Sequence, residues 1–540
     1  MAQEILKLCM SKGFFLDKEM LDLLLKLNEE GAKKVIDILG GIGFNERVIT
    51  KNLFDKHFNK FKELLIVESG SDEIESLFAG VGYLGEPQIV TNIADEETNN
   101  INGKVKLISA PAFQEKKITV KDFVNHFRSR YAALKTILEA RNFENLSSIR
   151  RIGNNRGTYT IIVAVIDKRT TKNKNLLIKV EDMTGTSVVL VNQNKKEVFE
   201  KAKDLLVDDI VAFNVSGNSE MLFANDITFP DTVLLEKRFS EFDESVAFIS
   251  DIHAGSTMFL EKNLRRFVKW LNGKEGDEEQ KNLAKKVKYL FMNGDNVDGI
   301  SVFPGQEKFL SVMDMKGQYK KLYDVIKDIR KDIKIIISPG QHDAVWLGEP
   351  QPIIGEEWAP DLHSMENVTF IPNPSCVEID GDFKILVYHG ASMHGIIEEI
   401  PEIRLNHGHN NPTVVVKEML KRRHLSPMHG LSDYIPCEKD PLVIDPVPDI
   451  IITGDQHRCE VAMHNNILLI ASSCWQSRTP FEEKVGNNPE PCKVPIFNLK
   501  TREIKILDFS DGIEEAELKS LHKVIEVDFE AEEEDDENQV

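Results

Sequence analysis

Five segments of this sequence each run from an apolar, largely β-branched stretch straight into Asp, His, Gly or Asn. They are VAFISDIHAG (246–255), YLFMNGDNVDG (289–299), IKIIISPGQHDA (333–344), FKILVYHG (383–390) and DIIITGDQH (449–457). The side chains they deliver are Asp251, His253, Asp295, Gln341, His342, His389, Asp455 and His457. Carboxylates and imidazoles together suit divalent cations of the Mn, Fe, Zn or Mg kind. A pair of such cations, roughly 3.5–4 Å apart, can hydrolyse a phosphodiester, whose anionic oxygens otherwise repel a nucleophile. The pair neutralises that charge, acidifies a water and steadies the leaving oxygen, and one carboxylate has to bridge it. The alternation in Asp-x-His lets Asp251 and His253 point to one side. A lone Asp-x-His is usually a satisfied polar pair; five such segments in series, each after a strand, are not accidental.

Side chains spread from 251 to 457 meet only if the fold gathers them. Buried strands that end in polar clusters bring those clusters to one edge of a sheet. Strands separated by helices are therefore expected from 245 to about 510. Upstream, apolar residues recur at three- and four-residue spacing in LDLLLKLNEEGAKKVIDILGGI, which predicts a helical module over 1–66. Residues 67–118 are polar and turn-rich and read as a linker. A helix is expected over 119–141. Short strands follow in TYTIIVAVIDKR, NLLIKVED, TSVVLVNQ, DIVAFNVSGN and MLFANDITF, with the helical stretch KKEVFEKAKDLL after the third. That order matches an OB-type barrel at roughly 146–232. The domain plan is thus a helical module (1–66), a linker (67–118), a helix plus OB-type barrel (119–240), a catalytic domain (241–512) and an acidic tail (513–540). The tail contains EAEEEDDE and is expected to be self-repelling.

A net charge of −21 excludes a protein that coats nucleic acid non-specifically. A local basic groove or a basic partner remains compatible with it. Arg150, Arg151 and Arg156 on the barrel, and Arg422 and Arg423 in the cluster Lys421–His424, are the candidate nucleic-acid contacts. The bland alternative for both groups is a solvated edge or helix face. Aromatics in the barrel (Tyr159, Phe213, Phe223 and Phe229) are thin for a stacking platform. Trp475 and Phe481 are read as cleft wall or core. His407 and His409 fall in a polar loop and are not expected to ligate. The six cysteines form no CxxC, so reduced thiols in a cytoplasmic protein are expected. The first residues lack a continuous apolar stretch and no run approaches 18 apolar residues, so neither a signal peptide nor a membrane span is expected.

The five segments resemble the calcineurin-like metallophosphoesterase superfamily, whose signature is DxH, GDxxD, GNHD/E, H and GHxH. That resemblance implies a β-sandwich flanked by helices within a multidomain α+β chain. It implies Asp251, His253 and His457 as ligands of a first metal, Asp295 as the bridging carboxylate, and His389 as a ligand of a second. His342 would be the histidine that stabilises the transition state or protonates the leaving oxygen, with Asp343 orienting it. Two positions depart from the signature. Gln341 stands for Asn and Asp455 for the first His of the last motif, both on the second metal, Mn²⁺ or Mg²⁺.

Longer stretches narrow the resemblance: GDNVDGISVFPGQE (294–307), KEMLKRRHLSPMHG (417–430), DPLVIDPVPDIIITG (440–454) and SSCWQSRTPFEEKVGNNPEPCKVPIFNL (472–499). With the barrel before them, they are similar to the small subunits of archaeal family-D DNA polymerases, from about 119 to 510. The resemblance implies a 3′→5′ proofreading exonuclease working with a large catalytic polymerase subunit, on DNA, with the sliding clamp reached through the complex. The alternatives are a non-catalytic scaffold with a degenerate site, as Gln341 and Asp455 suggest, or an independent phosphoesterase.

Overall fold

In the computed structural model the described residues are 105–510, apart from 112, 114–116, 381, 407 and 486, with scattered positions before 50 and the pair 525–526. The chain divides into two compact units, 1–91 and 92–540. In the first, the described Ile5, Leu24 and Ile36 are helical and buried, and Phe15–Leu16 pairs in parallel with Val48–Ile49. The rest of the expected helical module lies outside the described residues.

The second unit opens with strand β1 (Lys106–Ser109) and helix α1 (Val120–Glu139). A closed barrel follows, made of β2 (Gly157–Thr170), β3 (Leu176–Asp182), β4 (Gly185–Val191), β5 (Ile210–Gly217) and β6 (Leu222–Thr228). Its strands close in the order β2-β3-β4-β6-β5, and helix α2 (Lys196–Lys203) lies between β4 and β5. Apolar residues alternate into its core, with Ile161, Ile178, Val189, Phe213 and Ala224 all buried. One face of α1 seals one side: Tyr131, Leu134 and Leu138 pack on Ile162, Ile210 and Ala212.

The remainder is two sheets stacked face to face. The first contains β7 (Ser245–Ile249), β8 (Val287–Asn293), β9 (Lys334–Ser338) and β10 (Val368–Phe370), all parallel. The second contains β11 (Ser375–Ile379), β12 (Phe383–Val387), β13 (Ile450–Thr453), β14 (Glu460–His464) and β15 (Ile467–Ala471). Strands β16 (Lys493–Asn498) and β17 (Ile504–Asp508) return to the first sheet, with β16 antiparallel beside β7. Within the second, β12, β13 and β15 are parallel.

Alternation explains the layering. Val246, Phe248, Tyr289, Phe291 and Ile336 of the first sheet meet Ile385, Val387, Ile450, Ile452, Leu468 and Ile470 of the second. The intervening residues face outward and are buried as well. Ala247, Ile249, Leu290, Met292, Ile335 and Ile337 pack beneath α3 (Glu261–Leu271), α4 (Glu278–Lys286) and α5 (Met315–Ile326). Leu386, Ile451, Ile467 and Leu469 pack beneath α6 (Met393–Glu399) and α7 (Pro412–Arg422). Strands buried on both faces read as continuous apolar runs, which is why these segments stood out in the sequence.

Two expected boundaries need correcting. The stretch 67–118 is not all linker, because β1 pairs antiparallel with β11 and forms an edge of the second sheet. Within the expected tail, Ile525–Glu526 pairs with β17. Both are very short edge strands, below what periodicity reveals in a polar stretch.

Candidate metal centre

The five polar segments leave the C-terminal ends of β7, β8, β9, β12 and β13, where the two sheets come together. The backbone turns at once. Asp251, His253, Asp295, Asp455 and His457 take left-handed conformations, with φ of 51, 50, 48, 65 and 55°. Such a conformation costs a non-glycine residue roughly 1–2 kcal/mol. Hydrogen bonds between segments hold it: the amides of Asp251 and His253 donate to the carbonyls of Gly294 and Asp295, both at 3.0 Å. The Asp455 amide donates to the Asp251 carboxylate at 3.1 Å. Glycine is required where segments touch. A Cβ on Gly294 (φ 81°) would lie 2.1 Å from Nδ1 of His389, and one on Gly340 would lie 2.3 Å from Oδ1 of Asp295.

Three imidazoles are oriented by what lies behind them. Nδ1 of His389 is 2.8 Å from the carbonyl of Asn293. Nδ1 of His457 is 2.9 Å from Oε1 of Glu482, on α8 (Pro480–Val485). Nδ1 of His253 is 3.2 Å from Oδ1 of Asp298. Carbonyls and carboxylates accept, so each Nδ1 carries the proton and each Nε2 presents a lone pair to the cleft. Those lone pairs converge: Nε2 of His253 and Nε2 of His457 are 3.2 Å apart. Nε2 of His389 is buried with no hydrogen-bond partner, 3.3 Å from Oδ2 of Asp295. Facing lone pairs repel unless something positive lies between them. Backing of this kind is how proteins prepare histidine for a metal.

The carboxylates complete the donor set. Asp251, His253 and His457 offer atoms within 4.8 Å of one another, as do Asp251, Asp295 and His389. Asp295 was expected to bridge; Asp251 reaches both groups as well, with Oδ1 at 3.5 Å from His457 and 3.9 Å from His389. Gln341 and Asp455 are neighbours, with Nε2 of Gln341 3.5 Å from Oδ1 of Asp455. Oε1 of Gln341 is buried without a partner. Orphaned Nε2 and Oε1 atoms among converging carboxylates fit divalent cations.

His342 flanks this set, with its amide donating to Oδ1 of Asp295 at 2.9 Å and its Nε2 3.9 Å from Oδ2. Its Nδ1 is 2.7 Å from the carbonyl of Asp298. The expected contact from Asp343 is therefore corrected: the Asp298 backbone orients His342. Asp343 instead ties the loop together. Its Oδ2 accepts from the amides of Gly340 and Asn296, and its Oδ1 accepts from the Tyr319 hydroxyl. Burial, then the neighbouring Asp295 carboxylate, push its carboxyl up to about 6. Asp343 follows His342 in sequence, but the turn sends the two side chains in different directions.

Sequence reading missed Asp298 and Glu482. Asp298 is the second carboxylate of GDNVD, so its signal was present in the motif. Glu482 lies 25 residues from His457 on a short helix and gave no local signal. The donor atoms open on a cavity of about 760 Å³, walled on one side by Met258, Phe303 and Phe309 and on another by His394, Arg404 and His409.

The candidate nucleic-acid residues divide. Arg150 and Arg151 are exposed, on a turn before β2. Arg422 is buried, paired with Asp209 and Glu418, and bonded to the carbonyl of Asp204. It locks α7 to the barrel and is not a surface contact. Arg423 is mostly covered and donates to the carbonyl of Ile444. The basic cluster is a seam between domains. Four adjacent basic residues look alike in sequence whether they face solvent or another domain. Trp475 is fully buried in the core of the first sheet. His407 and the Phe481 side chain lie outside the described residues.

The family model for the small B-type subunits of DNA polymerases alpha and epsilon matches residues 246–461. The DNA polymerase II small subunit of Methanothermobacter thermautotrophicus is 37% identical over 393 residues, covering 72% of this chain and 80% of that one. Its counterpart in Archaeoglobus fulgidus is 38% identical over 381 residues, covering 70% and 75%. That of Pyrococcus furiosus is 32% identical over 424 residues, covering 77% and 68%. At this identity and coverage, the chain belongs to the family of archaeal DNA polymerase II small subunits.

Proposed function

We propose that this chain is the proofreading subunit of a heteromeric archaeal DNA polymerase, removing 3′-terminal nucleotides by metal-dependent hydrolysis. The observation that carries this reading is the convergence of Asp251, His253, Asp295, His389 and His457, with unpartnered Nε2 and Oε1 atoms, on the floor of an open cavity. Two divalent cations held there, Mn²⁺ or Mg²⁺, would supply charge neutralisation for the phosphodiester and acidity for water. Asp251, His253, Asp295 and His457 would hold the first, and Asp295, Gln341, His389 and Asp455 the second. His342 has its Nδ1 proton committed to the Asp298 carbonyl, so its Nε2 is the atom free to carry a second proton to the leaving oxygen. The intact imidazole set favours this reading over a scaffold with a degenerate site.

The barrel's strand order, with its helix between the third and fourth strands, supports an OB-type module. Arg150 and Arg151 would there approach DNA phosphates. The large catalytic subunit is the implied partner, with the sliding clamp engaged through the complex.

The test is a mismatched 3′ primer incubated with the chain, alone and with its large subunit, in Mn²⁺ or Mg²⁺. Cleavage is expected, and His342→Ala should lower its rate by about 10²–10⁴-fold. Absence of cleavage in both settings, or cleavage indifferent to His342→Ala and Asp295→Ala, would leave the scaffold reading in its place.

A further inference from the structure

One imidazole of the cavity has no part in the roles above. His394 sits in the first turn of α6 with 52% of its side chain exposed, and its Nε2 lies 3.2 Å from Oδ2 of Asp455. The same oxygen accepts from Nε2 of Gln456 at 2.9 Å. The other oxygen, Oδ1, lies on the Gln341 side. Behind His394 the ring of His409 packs at 5.1 Å between centroids, and Nδ1 of His409 is 3.3 Å from Oε1 of Gln456. The rim thus forms a short relay of His409, Gln456 and His394 around one carboxylate.

That carboxylate needs such a frame. Asp455 stands beside Asp251 and Asp295 in a buried cleft, where like charges repel at close range. A carboxylate held at one oxygen only can turn about its last torsion and present either atom to the cleft. We infer that His394 is a positioning residue of the metal centre, pinning the outer oxygen of Asp455 so that Oδ1 stays beside Gln341 and His389 as part of the second cation's donor set. Carboxylate ligands are ordinarily fixed by hydrogen bonds from behind, and loss of such a partner weakens metal affinity by about 10–100-fold. The inference rests on the two-cation reading above.

Mn²⁺ titration of the full-length chain, followed by calorimetry and by electron paramagnetic resonance, tests it. Wild type is expected to take two ions with a spin-coupled spectrum. His394→Ala should keep the first ion at wild-type affinity, weaken the second by about tenfold or more, and lose the coupled signal. His394→Gln, which retains a donor, should recover most of the second site. An unchanged melting temperature for both variants is expected, since the side chain is half exposed. Two ions at wild-type affinity in His394→Ala, or equal loss in both variants, would overturn the pinning role. A single ion bound by wild type would overturn the two-cation reading itself, and this inference with it.

Discussion

At the scale of single residues, the centre depends on atoms behind the donors as much as on the donors. Asp298 serves two histidines at once: its carboxylate faces Nδ1 of His253 and its carbonyl holds Nδ1 of His342. Gln306 and Gln476 in turn donate to its carboxylate. Asp298→Asn preserves shape but removes the acceptor charge that keeps the His253 proton on Nδ1. The expected result is Mn²⁺ affinity lowered by about 10–100-fold with folding intact, read by calorimetry and a thermal melt. Unchanged affinity would remove Asp298 from the orienting set. Donor identities were legible in the sequence because each follows an apolar run. The backing atoms were less so. Asn293 and Asp298 hold His389 and His342 through backbone carbonyls, which every residue carries, so no side-chain pattern marks them.

At the scale of elements, α1 belongs to two domains. Its apolar face seals the barrel, and its Arg130 and His126 reach Asp440 in the sandwich domain, at 2.6 and 3.2 Å. His424, in the turn after α7, adds a third contact at 3.0 Å. All four groups are buried. Burial, then the Arg130 and Asp440 charges acting in opposite senses, leave the His424 imidazole lowered to about 4. Asp440→Ala would leave the Arg130 guanidinium buried without its carboxylate, at a cost of about 3–5 kcal/mol. Urea denaturation should register that loss, and amide exchange over 120–139 should rise; protection equal to wild type would show that the apolar face alone docks the helix. The helix itself was legible from its periodicity and the strands from their composition. The Arg130–Asp440 contact spans 310 residues, a separation over which nothing in the sequence links the pair. The edge strands β1 and Ile525–Glu526 escaped for a different reason, being too short for alternation to register.

At the scale of the molecule, the two sheets are tied by a buried carboxyl. Glu349, in the loop after β9, accepts at Oε2 from the hydroxyls of Tyr388, beyond β12, and Ser432, each at 3.1 Å, while Oε1 has no partner. Burial pushes its carboxyl from 4.5 up to about 7, against the two hydroxyl bonds. A raised carboxyl binds its proton more tightly when folded. Its contribution is therefore complete below pH 4.5 and is lost as pH rises to about 7. Glu349→Gln should match wild type near pH 4.5 and exceed it at pH 8 by about 3 kcal/mol, as judged by urea melts at both pH values. Parallel pH profiles for the two proteins would refute the assignment. The left-handed turns at 251, 253, 295, 455 and 457 carry a separate consequence, for inheritance rather than chemistry. The fold by itself screens what can occupy these positions: Gly, Asn and Asp fit the backbone, and Val and Ile do not. A substitution library sorted only for soluble, folded protein should thus already be depleted of β-branched residues there. Copies that lose catalysis would drift toward glycine and asparagine, leaving an inert chain whose outline still resembles a working one.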